Sequence, residues 1–226
     1  MITDATKTVK SKDRHTHLET KANNKHAYLV LKRMIDITGA SVGLILLTPL
    51  LLLVALIIKL EDPKGPIFFK QIRVGKNEKR FYMFKFRSMV SNAEELLESL
   101  LEQNEVSGAM FKMKDDPRVT KIGKFIRKTS IDELPQLLNV LKGEMSLVGP
   151  RPPLEREVDE YTDYQKQRLL VTPGCTGLWQ VSARNSVGFE EMVELDIDYI
   201  KTRSVLLDMK LIILTVYVML RSKDAY

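Results

Sequence analysis

The longest apolar stretch of the chain lies near its N-terminus and predicts a membrane-embedded helix. Residues 37–58 include no charged side chain. As a helix with a rise of ~1.5 Å per residue, this stretch reaches about 33 Å, which is just enough to cross the hydrocarbon core of a bilayer. Thr48 and Pro49 stand near its middle, where a proline removes one helical hydrogen bond and bends the axis.

The charges on either side of this stretch favour a re-entrant helix over a straight span. Basic residues both precede and follow it, and positively charged flanks stay on the cytoplasmic side of a membrane. The lower-energy topology therefore enters and leaves by the same face, as a helix–break–helix with the break at Thr48-Pro49; a kinked span is the alternative. The flanking residues are Lys32, Arg33, Lys59 and Lys64.

The rest of the pattern predicts a mainly α-helical fold with a small β-hairpin. Two β-rich runs flank residues 75–77 and form the hairpin, and on its second strand Phe81, Met83, Lys85 and Arg87 share one face. Helical periodicity and capping signals dominate afterwards, and the last helix is expected to lie in the membrane interface or to pack on the body. Three helices are predicted to begin at Ser91, Thr120 and Ser130. Three more are predicted over residues 155–171, 190–201 and 208–221, and two short strands over 145–148 and 178–181.

Two adjacent carboxylates, Asp132 and Glu133, are the strongest candidates for chemistry. Ser130 and Glu133 form a capping-box pattern that places both in the first turn of a helix, where acidic residues are common simply as caps. Arg127 upstream and Arg151, fixed between prolines, add cations that bind phosphate. The two carboxylates could recruit Mg²⁺ and supply a nucleophile. Together with cations that bind phosphate, they form the combination that phosphoryl transfer requires.

Composition narrows the choice of partner and of catalytic group. The formal charge is +6, which favours an anionic partner such as nucleic acid, a lipid surface or a phosphorylated substrate. The histidines, at positions 15, 17 and 26, all lie near the N-terminus, so a Ser-His or Cys-His pair is excluded from the body. No glycine-rich phosphate-binding motif occurs. By position alone, Asp196 would face solvent and Asp208 would cap the last helix.

Several quoted segments together resemble the bacterial sugar transferases, the monotopic phosphoglycosyl transferases that act on polyprenyl phosphate. They are "KGPIFFKQIRVGKN", "RKTSIDELPQLLNVLKGEMSLVGPRP" and "PGCTGLWQVSARN", and the likeness extends over about residues 31–221. The resemblance implies a polar mobile tail (1–30), a re-entrant membrane helix (31–62) and a catalytic domain at the cytosolic face of the bacterial cytoplasmic membrane (63–226). The four-helix membrane bundle of larger members is not expected.

The same resemblance implies an activity and assigns residues to it. The enzyme would move sugar-1-phosphate from a UDP-sugar to undecaprenyl phosphate and release UMP, with Asp132 as the nucleophile and Glu133 as the Mg²⁺ ligand. Thr48 and Pro49 match the family's break in its re-entrant helix. The predicted substrate-binding residues are Lys85, Arg87, Arg127, Arg151, Asp196 and Asp208, all of which match family positions except Arg87, which is chosen for its place on the hairpin.

Two other functions compete with this one. The basic and aromatic residues of the hairpin could bind single-stranded nucleic acid, or the chain could be a non-catalytic scaffold at the membrane. Neither gives a role to the Asp132-Glu133 pair, so we expect an enzyme whose partners are its two substrates and membrane lipids, without nucleic acid. The sequence leaves open whether the protein is a homodimer, which UDP-sugar it uses and which polymer pathway it serves.

Overall fold

A computed structural model describes residues 26–97, 99–100, 113, 116–182 and 188–221. The described chain is mostly helical, with small sheets and one long apolar helix near the N-terminus. The helices are α1 (His26–Glu61), α2 (Ala93–Leu97), α3 (Lys121–Lys128), α4 (Gln136–Lys142), α5 (Glu155–Asp159), α6 (Asp163–Lys166), α7 (Leu178–Ser182), α8 (Phe189–Thr202) and α9 (Val205–Arg221). The strands are β1 (Phe68–Val74), β2 (Arg80–Phe86), β3 (Ser146–Val148) and β4 (Gly174–Thr176).

Helix α1 continues through the proline at which a break was predicted. It runs from His26 to Glu61 with Pro49 inside, and so begins before the predicted start at Leu31. A proline lacks one N–H donor but keeps a helical φ, so the turns on either side can hold their own hydrogen bonds. The helix therefore shows no interruption that would support the predicted re-entrant hairpin. The predicted tail lies outside the described residues up to position 25.

Most of the surface of α1 is apolar and exposed. Its most apolar window has a mean hydropathy of 2.8, and only 11% of that window is buried within the protein. A core helix of a soluble protein would be mostly buried. Ile45, Leu46 and Leu60 are instead each more than 70% exposed. Among the described residues, α1 is the one helix long and apolar enough to cross a membrane.

The chain divides into two compact units, of which the first comprises residues 1–45, 70–83 and 136–221. Its core holds Val148, Val171, Tyr199 and Leu211. Strands β3 and β4 pair in parallel, and α4 ends as predicted at Gly143, whose φ of +82° suits a residue without a side chain. A second buried cluster contains Ala40, Phe81, Met83, Val140 and Met145.

Two predictions within this unit are wrong. Residues 178–181 form helix α7 rather than a strand, and the strand is β4, just before it. Leu178 and Val181 both pack on the core at a helical spacing, and so short an apolar run cannot be assigned from periodicity alone. The predicted helix over 155–171 is broken into α5, α6 and a 3₁₀ turn, because Thr162 and Gln165 form a capping box that starts α6.

The last two helices follow the predictions closely. Helix α8 covers the predicted 190–201, and α9 begins slightly earlier than predicted. One face of α9 packs into the core through Leu211, whereas Leu206, Ile213 and Val216 are more than half exposed. Helix α9 therefore packs on the body, which is one of the two predicted placements, and leaves an apolar face exposed.

The second unit comprises residues 46–69, 84–135 and 222–226, the last of these outside the described residues. Its core packs Val54, Ile58, Phe86 and Ile126 together. Helix α3 begins as predicted at Thr120, whose hydroxyl accepts a hydrogen bond from the backbone N–H of the third residue after it. Helix α2 is described only to Leu97, and most of the loop predicted over 104–116 lies outside the described residues.

Candidate active site

The two carboxylates lie on a 3₁₀ turn, Ile131–Glu133, and not in the first turn of an α-helix. The predicted capping box is therefore wrong. Ser130 adopts a left-handed conformation (φ 56°) just after the end of α3, and its hydroxyl makes no capping bond. The backbone N–H of Glu133 bonds to the carbonyl of Ser130 instead, at 3.2 Å. Helix α4 starts after the turn, at Gln136, directly after Pro135 and later than the predicted start at Ser130.

The turn gives its two carboxylates opposite environments. Ile131 packs against the core of the second unit and anchors the turn. Asp132 is only 6% exposed, whereas the side chain of Glu133 is 41% exposed and accepts a hydrogen bond from the Lys85 ammonium at 2.6 Å. Lys85 comes from strand β2, so the fold brings together two predicted site residues that are distant in sequence.

Arg127 is held beside this pair by a close backbone approach. Its Nε donates to the hydroxyl of Ser88 at 2.8 Å. Helix α3 comes this near because Gly123 has no side chain: a Cβ there would lie 2.0 Å from the carbonyl oxygen of Ser88. The segment after β2 is pinned to the start of α3 by a bond from the N–H of Thr120 to the same carbonyl at 3.1 Å.

Burial and the neighbouring charges both change the pKa of Asp132. The pKa of Asp132 is raised on balance from 3.8 to about 6; burial is the largest cause, and the charge of Glu133 acts in the same direction. The cations of Lys85 and Arg127 lower the same pKa. The carboxyl group is therefore mostly ionised at neutral pH, as a stronger base than a solvated aspartate.

Asp132 differs from the other buried aspartates of the described chain. It has no ion pair and no hydrogen bond from any other described side chain. The other four each have such a partner: Asp36 has Ser146, Asp116 has Arg118, Asp196 has Arg168 and Asp208 has Lys32. The carboxylate of Asp132 is bonded only to its own backbone N–H, so it is the buried aspartate of the described chain that no neighbouring side chain engages.

Arg87 lies in the same unit but is engaged with the end of α1. Its guanidinium donates to a carboxylate oxygen of Asp62 and to the backbone carbonyl of Asp62, both at 2.8 Å, and the residue is 7% exposed. The face predicted on β2 is thus closed: Phe81 and Met83 are buried, and Lys85 and Arg87 are ion-paired. That face offers no platform for stacking bases.

The remaining predicted residues belong to the first unit. Arg151 is exposed in the loop after β3. Asp196 is fully buried and pairs with Arg168 at 2.7–2.8 Å, so the expectation of a solvated position is wrong. The guanidinium of Arg168 also donates to the hydroxyl of Tyr161 at 2.9 Å, so the three side chains form a buried network.

Asp208 is likewise buried and does not cap α9. The cap is Ser204, whose hydroxyl accepts from the N–H of Leu207 at 3.2 Å. The carboxylate of Asp208 instead accepts from the ammonium of Lys32 at 2.9 Å and from the hydroxyl of Tyr199 at 2.7 Å. It therefore ties α9 to the first turns of α1, within the first unit.

Sequence reasoning missed the residues that hold the site in place. Ser88 orients Arg127, and Asp62 binds Arg87. The carboxylate of Glu61 accepts from the first two N–H groups of α3 at 2.7 and 3.1 Å. Each partner is remote in sequence, so no local pattern could have identified it.

The described residues include no group of three or more acidic, histidine or cysteine side chains able to hold a metal. A fully protein-made cage is therefore absent from this part of the chain. Mg²⁺ commonly binds through one or two carboxylates and completes its shell with water and substrate phosphates. The half-exposed carboxylate of Glu133 fits such a site when a phosphorylated substrate is bound.

Comparison with known proteins identifies the family. The sequence model of the bacterial sugar transferases matches residues 27–222. The chain belongs to the bacterial sugar transferase family. A galactosyl transferase, CpsE, of Streptococcus agalactiae is 51% identical over 202 residues, which cover 89% of this chain and 44% of that protein.

Two further relatives of this sugar transferase differ in length. An undecaprenyl-phosphate galactose phosphotransferase of Salmonella typhimurium is 44% identical over 206 residues, covering 89% of this chain and 43% of that protein. An exopolysaccharide production protein, ExoY, of Sinorhizobium fredii is 40% identical over 201 residues, covering 87% and 88%. The chain thus spans less than half of the first two relatives and most of the third.

Proposed function

We propose that the chain transfers sugar-1-phosphate from a UDP-sugar to undecaprenyl phosphate and releases UMP. The observation that carries this proposal is Asp132, a buried carboxylate without a partner side chain among the described residues, beside the cations Lys85 and Arg127. Strongly perturbed groups of this kind cluster at functional sites. The Salmonella relative, an undecaprenyl-phosphate galactose phosphotransferase by name, supports the lipid acceptor and the class of reaction.

The proposed reaction has two displacements at one phosphorus atom. First, a carboxylate oxygen of Asp132 bonds to the β-phosphorus of the UDP-sugar, and the bond from that phosphorus to the bridging oxygen breaks, so UMP leaves with the oxygen. Then a phosphate oxygen of undecaprenyl phosphate bonds to the same phosphorus, and its bond to Asp132 breaks. The carboxylate is regenerated, and neither step needs an electron or an added proton. A covalent intermediate lets the two substrates react in turn.

The cations beside the turn are proposed to stabilise the charge of the transferred phosphoryl group. Arg127 is held by Ser88, so its guanidinium needs little reorganisation when the substrate arrives. Arg151, exposed in its loop, is proposed as a further phosphate ligand. The buried ion pairs of the remaining predicted substrate-binding residues favour a positioning role; these are Arg87, Asp196 and Asp208.

Glu133 is proposed to hold a Mg²⁺ ion together with the substrate's phosphate oxygens. When bound, the ion would neutralise phosphate charge and favour departure of UMP. Lys85 now pairs with Glu133, so we expect its ammonium to turn to the phosphates when the carboxylate binds the metal.

The proposed location is the cytosolic face of the bacterial cytoplasmic membrane, with α1 in contact with lipid; a bend at Pro49 in the continuous helix, rather than an interruption of it, would return both ends of α1 to that face. The exposed apolar surfaces of α1 and α9 support contact with lipid, and the basic residues at both ends of α1 support one shared face. Single cysteines in the tail and after Leu60, in a Cys175→Ser background, should both resist an impermeant external thiol reagent. Labelling of only one end would establish a span.

The catalytic proposal is tested by UMP release across a panel of UDP-sugars, with UDP-galactose first. The purified full chain, undecaprenyl phosphate and Mg²⁺ should release UMP with at least one sugar. Asp132→Asn should abolish release and any phosphosugar adduct detected by mass spectrometry of the protein. Asp198→Asn, the same change at an exposed position on α8, is the matched control and should turn over normally. Near-normal turnover by Asp132→Asn would refute the assignment of the nucleophile.

A further inference from the structure

The first unit contains a cavity of about 130 Å³ whose lining is strongly basic. Liquid water occupies about 30 Å³ per molecule, so the cavity has room for a small tetrahedral group such as phosphate. Four cationic side chains and one carboxylate line it. We call it the basic cavity; its charged lining residues are Lys32, Arg33, Lys76, Arg203 and Asp36.

The cations of the basic cavity come from separate parts of the first unit. Lys32 and Arg33 lie on α1, Lys76 lies in the turn between β1 and β2, and Arg203 follows α8. Arg203 is only 4% exposed, with its guanidinium 5.5 Å from the centre of the Tyr28 ring. Gathering like charges in one partly enclosed space is unfavourable, so the arrangement favours an anionic occupant.

Several donors of the basic cavity are still available to such an occupant. Arg33 uses two of its five N–H groups on the carbonyls of Val140 and Leu141, at 2.6 and 2.7 Å. Lys32 uses one of three on Asp208. The ammonium of Lys76 has no partner among the described residues.

The carboxylate in the lining does not neutralise this set. Asp36 accepts hydrogen bonds from the hydroxyl of Ser146 and the N–H of Leu147, both at 2.9 Å. The charge of Asp36 also attracts Lys32, which is paired with Asp208 as well. These two carboxylates offset part of the charge, and the four cations of the lining leave an excess of positive charge.

We propose that the basic cavity binds a phosphate group, carried either by an anionic phospholipid or by a soluble phosphate. None of its lining residues belongs to the proposed catalytic set, so this would be a second phosphate site. Lys32 and Arg33 stand just before the uncharged stretch of α1. In a helix that enters a membrane, this is the level of the lipid phosphates, and basic pockets there recognise anionic head groups. We therefore expect the lipid to be the source.

The test uses Lys76→Gln and a matched control, Lys79→Gln. Both remove one lysine charge from the same turn, but Lys79 is exposed and does not line the basic cavity. The full chain in detergent is titrated with short-chain phosphatidylglycerol against phosphatidylcholine of the same chain length. A second arm titrates inorganic phosphate against sodium chloride at equal ionic strength. Binding is followed by the thermal midpoint, so no turnover is needed, and a failure of the catalytic proposal would not affect the result.

We expect phosphatidylglycerol to stabilise the wild type and Lys79→Gln, and to bind Lys76→Gln roughly tenfold more weakly, since a bond to a charged group is lost. The midpoint of Lys76→Gln without ligand should equal that of the wild type, because Lys76 holds no described partner. The same dependence on Lys76 with inorganic phosphate alone would assign the site to a soluble ligand. No stabilisation in either arm, or equal weakening by both variants, would overturn the proposal.

Discussion

Replacing the proposed nucleophile should stabilise the protein while it stops turnover. The pKa of Asp132 is raised from 3.8 to about 6, so at pH 8 the folded protein carries a buried charge that the unfolded chain solvates. At ~1.36 kcal/mol per pKa unit, this costs about 3 kcal/mol. Asp132→Asn keeps the shape and removes the charge, and should recover up to that amount. For a chain of this length, about 3 kcal/mol corresponds to roughly 6–12 °C in thermal midpoint.

The sign of the pH dependence makes this prediction specific. Between pH 3.8 and about 6, the folded wild type binds a proton at Asp132 that the unfolded chain does not, so its stability falls as pH rises through this window. The advantage of Asp132→Asn should therefore be full at pH 8 and absent near pH 4.

Thermal unfolding of both proteins in one detergent, with EDTA and without substrate, measures this difference across the pH range. Asp198→Asn, the same change at a side chain that is 59% exposed, is the control. If Asp132→Asn melts at or below the wild-type temperature at pH 8, or if its advantage does not shrink towards pH 4, then Asp132 is not held as a poorly solvated charge.

Three further predictions concern the support of the site. Lys85→Met should lower kcat at least tenfold while the protein still folds, because a cation aimed at the phosphoryl group is lost; steady-state UMP release measures this, and an unchanged kcat would remove Lys85 from the mechanism. Gly123→Ala should destabilise the protein by about 1–3 kcal/mol and reduce activity, because its Cβ would displace Ser88 and with it Arg127; an equal thermal midpoint and rate would contradict that packing. EDTA should stop UMP release and Mg²⁺ should restore it, and full activity in EDTA would exclude the metal role proposed for Glu133.

Elements with a local signal could be predicted from the sequence. Four features each depend on a few neighbouring residues, and the structure has all of them. They are the apolar length of α1, the turn of the hairpin, the Thr120 cap of α3 and the end of α4 at Gly143. The break at Pro49 was predicted from a local cost, one missing hydrogen bond. That cost is small beside the many bonds of a 36-residue helix, so α1 continues through it.

Features set by distant partners could not be predicted in this way. Asp208 has the sequence position of a helix cap, but Lys32 and Tyr199 place it in a buried network. The same limit applies to the two carboxylates of the candidate site, which look equivalent as neighbours in the sequence. The fold separates them: Glu133 is half-exposed beside Lys85, and Asp132 is buried without a partner side chain in the described structure. A half-exposed carboxylate can accept a hydrated metal, whereas a desolvated one gains most from reacting with phosphorus, so burial supports the proposed division of roles.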